Sequence, residues 1–187
     1  TDKERTTLDS IKDMDKIYLM VDGKFVDNKT YTVSEVTKLS ELTTKMLDIH
    51  LMVKNPEKYI DELSMLNTKY ITFHYEAVKN HIDIINHIKN NGLEVGIAIN
   101  PETSPKDIFP LIKYLDLIII MSVHPGKSGQ TFLNSVLYKI DVLKKYITDN
   151  NLKTKISIDG GVNETNIDIL KEKKVDILVS SSYLLKG

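Results

Sequence analysis

The sequence of 187 residues contains no cysteine and no tryptophan, and Arg5 is the single arginine among its 25 basic residues. Without cysteine, neither a disulfide nor a thiolate metal site can form. With a single arginine, near the amino terminus, a buried guanidinium clamp on phosphate is not expected. Any phosphate group would therefore be held by backbone amides or by lysine.

The sequence also lacks a strong charge of either sign and any long apolar run. Its formal net charge is −1, which gives no support for a nucleic-acid or membrane-surface partner. The longest apolar run, Leu117 to Met121, is much shorter than the roughly 20 residues that cross a bilayer. The polar start, Thr1 to Ser10, does not resemble a signal peptide. We therefore expect a cytoplasmic protein.

Hydrophobic residues make up 41% and charged residues 27% of the chain, as in ordinary globular proteins. Its length suits one buried core and is short for two domains. No linker or internal repeat marks a boundary, so residues 1–187 are predicted to form a single domain.

Short apolar runs rich in Ile, Val and Leu alternate with longer amphipathic stretches. The runs predict seven strands: Lys16–Val21, Met46–Met52, Tyr70–His74, Glu94–Ile99, Leu115–Ser122, Lys155–Asp159 and Asp176–Ser180. Helices are predicted between them from apolar spacing and capping residues. The clearest signals are the stripe His81, Ile84, Ile85 and Ile88 before Gly92, the Ser104-Pro105 cap, the stripe Phe132, Val136, Ile140 and Leu143, and an Asn163 cap.

Strands that alternate with helices in this way pair in parallel through right-handed crossovers. Seven of them in this length favour an α/β fold of the (β/α)8 TIM-barrel type over an open doubly wound sheet. The chain opens on a helix-like segment, Asp2 to Met14, and stops just after its last strand. We therefore expect that the first strand and the last helix of the barrel are missing from this sequence, or that a partner covers the gap.

Polar and titratable residues gather at the carboxyl ends of the predicted strands, where barrels of this type carry their active sites. The ends with this character are Val21-Asp22-Gly23, Asp48 to Met52, Phe73-His74-Tyr75-Glu76, Met121 to Gly126, Asp159-Gly160-Gly161 and Val179 to Ser182. Gly-rich and Ser-rich ends on the last two strands are typical of phosphate binding.

Taken together and in this order, these motifs resemble the ribulose-phosphate 3-epimerase family, which includes relatives acting on allulose 6-phosphate. The similarity runs from about Val21 to Leu185. It rests on Asp22 to Asn28, Asp48 to Val53, Thr72 to Glu76, Asn100 to Thr103, Met121 to Gly126 with Gly129 to Phe132, and Ile158 to Asn163.

The resemblance implies a barrel isomerase of carbohydrate metabolism, in the pentose phosphate pathway. Two aspartates of the family move protons at C3 of a ketose phosphate, and a divalent metal (Zn, Fe, Mn or Co) stabilises the enediolate. In this sequence the matching residues are Asp159 as acid/base and metal ligand, His50 as metal ligand beside the substrate, and Met52 and Met121 as pocket residues. The phosphate-binding positions are Lys127, Ser128, Gly129, Gly160, Gly161, Ser180 and Ser181.

One strand departs from the family pattern, in which His-x-Asp-x-Met precedes Asp-Gly. Ile17 stands at the first histidine ligand, Leu19 at the first aspartate and Val21 at a pocket methionine. Because side chains alternate along a strand, the three positions share one face, which we expect to be the inner one. Tyr18 and Met20 would then point away from the site.

Three functions remain open. The first is a ribulose-phosphate 3-epimerase, or an enzyme of the allulose-6-phosphate type, with impaired activity. The second is a non-catalytic phosphosugar-binding or regulatory relative. The third is a metal-free enzyme that uses His50, His74, His124 and Asp159. A ketose phosphate is the expected ligand, and a homo-oligomer is the expected assembly.

Overall fold

The computed structural model describes residues 16–22, 31–125 and 130–179. Seven strands form one parallel sheet in the order of the sequence, β1-β2-β3-β4-β5-β6-β7. Their bounds are β1 Lys16–Asp22, β2 Met46–Met52, β3 Thr68–His74, β4 Glu94–Ile99, β5 Leu117–Met121, β6 Lys155–Asp159 and β7 Ile177–Val179. The predicted strands are thus confirmed, with ends that differ by one or two residues.

Helices alternate with these strands, and the sheet curls into a half-barrel. The α-helices are α1 Val33–Glu41, α2 Ile60–Ser64, α3 His81–Asn90, α4 Phe109–Ile112, α5 Leu137–Asp149 and α6 Ile167–Glu172. Short 3₁₀ turns occupy Pro56–Lys58, Tyr75–Ala77, Pro105–Ile108 and Asn134–Val136. This architecture confirms the prediction of a TIM-barrel type of fold.

Strands β2 to β6 are buried on both faces over most of their length, which explains why their sequences are largely apolar. One set of side chains packs between the sheet and the helices, for example Ile49, Phe73 and Ile97. The alternate set points into the barrel, where a smaller cluster contains Met52, Tyr70, Ala98, Leu117, Ile119 and Met121. Polar residues join this second set, so the interior is where a site can form.

The helix signals are largely confirmed. Ile84, Ile85 and Ile88 form the buried face of α3, and Ser104 Oγ accepts a hydrogen bond from Lys106 N at 3.3 Å. The Asn163 cap was wrong in its position. Asn163 Oδ1 accepts from Thr165 N at 2.8 Å in a turn, and Asn166 is the residue that precedes α6.

The predicted inner face of β1 was also wrong. Ile17, Leu19 and Val21 belong to the cluster between the sheet and the helices. Tyr18 and Met20 pack instead against the interior cluster. The physical reason is the period-two pleat. It lets the three aliphatic side chains face the apolar helix layer, so the residues between them turn into the barrel.

Among the described residues, no helix is long and apolar enough to cross a membrane. The predicted helix-like segment Asp2 to Met14 lies outside the described residues, as does Thr1 to Ser10.

Candidate functional site

Three polar side chains from β1, β2 and β6 meet in the interior of the half-barrel. The Tyr18 hydroxyl donates to Asp159 Oδ2 at 2.8 Å and lies 2.5 Å from His50 Nδ1. His50 Nδ1 and Asp159 Oδ2 are themselves 3.7 Å apart. His50 is completely buried, and Asp159 is 8% exposed. The phenol therefore sits between the two residues that the sequence nominated as metal ligands.

A second histidine, at the end of β3, extends this arrangement. His74 Nε2 lies 2.9 Å from His50 Nε2, with the two rings stacked at 4.8 Å between centroids. His74 Nδ1 faces Glu76 Oε2 at 3.4 Å. Glu76 Oε1 in turn accepts from Asn100 N at 2.8 Å and from the Thr103 hydroxyl. A continuous series of polar contacts thus runs from Glu76 to Asp159.

Burial sets the protonation of the central residues. It lowers the pKa of His50 to about 4, although the hydrogen bond with Asp159 acts to raise it. His50 is therefore neutral near pH 7. Burial, followed by the charge of Asp159, raises the pKa of Tyr18 well above its ordinary value, which keeps the phenol protonated.

The direction of each hydrogen bond follows from counting protons. Tyr18 gives its only proton to Asp159, so its oxygen must accept from Nδ1–H of His50. Nε2 of neutral His50 then carries a lone pair and lies 2.9 Å from Nε2 of His74. This assignment rests on the contacts of the ring nitrogens, and it leaves Asp159 as the final acceptor of the series.

The turn after β6 is held tightly against the end of β5. Gly160 and Gly161 have φ values of +117° and +63°. A Cβ on Gly161 would lie 2.7 Å from the Phe132 backbone nitrogen. Ser122 Oγ donates to the carbonyl of Gly160 at 2.6 Å, and Asn166 Nδ2 donates to that of Gly161 at 3.0 Å. The two carbonyl groups are therefore turned into the protein.

The structure brings together only some of the predicted site residues. His50, His74 and Asp159 are linked as described, and Met52 and Met121 lie in the interior cluster. His124 is not part of this group, because its side chain is 59% exposed and its Nδ1 lies 2.9 Å from Glu102. The phosphate-binding candidates Lys127, Ser128, Gly129, Ser180 and Ser181 lie outside the described residues.

Sequence reasoning missed Tyr18 and the supporting residue Lys139, and it placed Glu76 in a strand-end motif without giving it a role. Lys139 is completely buried on α5, and its Nζ donates to the carbonyls of Asn100 and Thr103, both at 2.7 Å. The sequence signal that could have identified Lys139 was its position in the helix. Lys139 lies three residues after Val136, on the apolar stripe of the helix, where a lysine needs a buried partner.

The donor set does not fit the divalent metal that the resemblance implies. A catalytic metal usually has at least three protein ligands. Among residues 16–22, 31–125 and 130–179, no group of three or more histidine, cysteine or acidic side chains could hold an ion. In addition, the Tyr18 hydroxyl contacts both His50 Nδ1 and Asp159 Oδ2, so an ion bound to these two atoms would have to displace it.

Comparison with curated proteins finds relatives from different organisms that carry the same name. A curated ribulose-phosphate 3-epimerase from Helicobacter pylori is 33% identical over 181 residues, which cover 96% of this chain and 83% of the relative. An enzyme of the same name from Schizosaccharomyces pombe is 35% identical, over 87% of this chain and 71% of the relative. Another from Methanocaldococcus jannaschii is 36% identical, over 88% of this chain and 70% of the relative.

Among solved structures, the chain is similar to the α-subunit of tryptophan synthase from Pyrococcus furiosus. The TM-score is 0.66 at 14% identity, over 97% of this chain and 83% of that one. At this identity the likeness concerns the barrel fold alone. The model of the ribulose-phosphate 3 epimerase family matches residues 2–185, and with the curated relatives this shows that the chain belongs to that family.

Proposed function

We propose that this chain interconverts ribulose 5-phosphate and xylulose 5-phosphate, with Asp159 as an acid/base at C3. The observation that carries the proposal is the position of Asp159. Its carboxylate is nearly buried at the carboxyl end of β6, where Tyr18 and His50 hold it. A carboxylate fixed on a rigid strand at this end of a barrel suits proton transfer to a bound substrate.

In the proposed reaction, Asp159 accepts the proton from C3 of the ketose phosphate. The electron pair of the C3–H bond forms a C2–C3 double bond, and the negative charge moves to the oxygen on C2. A proton from solvent delivered to the opposite face of C3 gives the epimer, and Asp159 then releases to solvent the proton that it took. Met52 and Met121 belong to the interior cluster and form an apolar wall beside this reaction.

The phosphate group is proposed to lie at the turn after β6. The carbonyls of Gly160 and Gly161 are turned towards Ser122 and Asn166, which favours an outward direction for the amides. Backbone amides are suited to phosphate in a chain with one arginine. Lys127, Ser128, Gly129, Ser180 and Ser181 complete this proposed phosphate site by family resemblance.

Members of this family generally depend on a divalent metal, for which Zn, Fe, Mn and Co are the candidates. His50 and Asp159 are the residues that would hold it here. Because the described donors do not fit such an ion, none of the proposed steps passes through it.

A second candidate function is phosphosugar binding without epimerisation. Met20 favours it, because this residue packs against the interior cluster on β1 and a thioether cannot transfer a proton. Inversion at C3 needs proton transfer on both faces, whereas Asp159 alone returns a proton to the face from which it came. Such a site would exchange hydrogen with solvent without forming the epimer.

The test is to incubate the protein in D₂O with ribulose 5-phosphate, xylulose 5-phosphate or allulose 6-phosphate and to follow C3 by NMR. We expect interconversion of the two pentulose phosphates with deuterium at C3, and its loss in Asp159→Asn. Asp168→Asn, on the exposed side of α6, is the matched control and should behave as the unmodified protein.

The outcomes separate the candidates. Deuterium in one epimer without interconversion supports the one-sided site. Binding of the phosphosugar without any exchange supports the regulatory relative. Turnover of allulose 6-phosphate alone would move the substrate to the hexulose class. A cytoplasmic location, a homo-oligomer and a single domain over 1–187 stay predictions from the sequence.

A further inference from the structure

The inference concerns Tyr18, which no sequence motif singles out. Its hydroxyl contacts His50 Nδ1 at 2.5 Å and Asp159 Oδ2 at 2.8 Å. The contact with Asp159 has an ordinary hydrogen-bond length, and the contact with His50 is shorter than the usual range. The residue reaches this place because β1 turns its even-numbered side chains into the barrel. The phenol oxygen therefore contacts the same two atoms, one on His50 and one on Asp159, that would hold a metal ion.

A metal and the phenol compete for the same atoms. An ion bound at Nδ1 of His50, at about 2.0–2.1 Å, would lie where the Tyr18 oxygen approaches that atom at 2.5 Å. The other ring nitrogen of His50 is engaged by His74 at 2.9 Å. Binding of an ion between His50 and Asp159 would therefore break at least the hydrogen bond from Nδ1 to Tyr18.

We propose that the Tyr18 hydroxyl takes the place of the divalent ion in this site, first by holding the Asp159 carboxylate and then by donating to the enediolate oxygen. This role rests on the proposed function. When Asp159 accepts the C3 proton, the negative charge moves from its carboxylate to the oxygen on C2. The Tyr18 proton then has a stronger acceptor in the substrate than in the protonated acid. His50 supports the phenol oxygen in both states through Nδ1–H.

The physical basis is a fixed hydrogen-bond donor directed at developing charge in a site shielded from water. Such a donor needs no reorganisation during the reaction, and its removal costs about 10²–10³-fold in kcat in well-studied oxyanion sites. A neutral phenol is a weaker electrophile than a divalent ion. The expected reaction is therefore independent of metal and slower than that of a metal-dependent epimerase.

The first experiment measures metal binding without reference to activity. Zn²⁺ and Mn²⁺ are titrated calorimetrically into the chelator-dialysed full chain and into His50→Gln. We expect no one-to-one binding that depends on His50. One equivalent of either ion, lost in His50→Gln, would overturn the inference whether or not the protein is active.

The second experiment measures C3 exchange and epimerisation after chelator dialysis, with and without added Mn²⁺. We expect activity in the dialysed protein, and a loss of about 10²–10³-fold in kcat for Tyr18→Phe with little change in KM. Tyr138→Phe, which removes the hydroxyl of a tyrosine 53% exposed on α5, is the control and should leave kcat unchanged.

The results distinguish this inference from the function on which it rests. Activity that disappears on dialysis and returns with Mn²⁺ overturns the role of Tyr18 but leaves the proposed function standing. A rise in KM alone for Tyr18→Phe would assign the hydroxyl to substrate binding and overturn its role in catalysis. Neither exchange nor epimerisation under any metal condition would refute both proposals.

Discussion

Glu76 is the outermost carboxylate of the interior polar series, and its partners decide how it titrates. Burial tends to raise its pKa, but hydrogen bonds from His74, Thr103 and the Asn100 amide outweigh this and hold the pKa below the ordinary value of 4.5. A carboxylate with a depressed folded-state pKa stabilises the protein above its unfolded pKa. This stabilisation is lost as the pH falls through the folded value.

The variant Glu76→Gln keeps the volume of the side chain and removes its charge. We expect it to lower the free energy of unfolding by about 1–3 kcal/mol at pH 7, as for hydrogen bonds to charged groups. The difference should shrink as the pH falls below the ordinary carboxyl pKa of 4.5, because the parent carboxylate then becomes protonated as well. Urea unfolding at several pH values measures this, with the exposed Glu164→Gln as control. A difference that grows towards acid pH would contradict the prediction.

The face of β1 gives a second prediction, on metal binding. The double variant Tyr18→His with Met20→Asp places two donors in the interior beside His50 and Asp159, and we expect it to bind one Zn²⁺. The matched variant Ile17→His with Leu19→Asp puts polar groups into the layer between sheet and helices. It should bind no zinc and unfold at a lower temperature. Calorimetry and thermal unfolding measure both, and the reverse result would show that the strand faces the other way.

The interior site was predictable from sequence only in part. His50, His74 and Asp159 were recognised because each lies at or near the carboxyl end of a strand. Tyr18 was not, because the spacing before Asp22-Gly23 aligns Ile17 and Leu19 with the family ligands. The sequence cannot show which of two alternate sets on a strand faces inward when both faces are buried. Packing of β1 against the helix layer decides this.

At the scale of the elements, α5 is joined to the loop after β4 by a buried cation. Lys139 Nζ donates to the carbonyls of Asn100 and Thr103, and the same two residues donate to Glu76. Burial lowers the pKa of Lys139, which indicates that its charge is costly to bury and is retained for these bonds. α5 therefore holds the loop after β4 in place, and this loop in turn holds Glu76 beside the interior site.

Lys139→Met removes both bonds and leaves two buried carbonyls without this donor. We expect a loss of about 2–4 kcal/mol in the free energy of unfolding. Lys145→Met, on the exposed face of the same helix where Lys145 pairs with Asp149, should cost less than about 0.5 kcal/mol. Chemical unfolding of the two variants measures the contrast. Equal losses would mean that the burial of Lys139 is of no consequence.

The turn after β6 has a similarly matched test in two glycines. Gly92 and Gly161 have φ values of +76° and +63°, so alanine at either position incurs about 1–2 kcal/mol of backbone strain. At Gly92 a Cβ would meet nothing within 4 Å, whereas at Gly161 it would clash with the Phe132 backbone. Gly161→Ala should therefore cost a further 1–3 kcal/mol, roughly as for overpacking. Similar melting temperatures for the two variants would contradict this.

Most elements were predictable because strand and helix periods are local properties of the sequence. The stripe Val136, Ile140 and Leu143 identified α5, and Ser104-Pro105 identified the turn before α4. The misplaced cap at Asn163 shows the limit. Asn163 and Asn166 are both capable caps, and Asn166 precedes α6 without a side-chain capping hydrogen bond, so residue type alone does not identify the start of this helix.

At the scale of the whole molecule, the sheet is most protected in its middle. Strands β3, β4 and β5 have neighbours on both sides in the sheet order, and Ile71, Ile97 and Ile119 are fully buried. We expect the amides of these three residues to exchange with D₂O slowest, near the global free energy of unfolding. Hydrogen exchange followed by NMR measures this. Equally slow exchange at the amides of β1 would contradict the expectation.

The order of the sheet has a consequence for how the chain folds. Every described strand pairs with the strand next to it in the sequence, and the paired residues are separated by about twenty to forty positions. The entropic cost of closing each loop is therefore similar and modest. No described pairing has to wait for distant parts of the chain to meet, so the sheet can grow one strand–helix unit at a time from any starting pair.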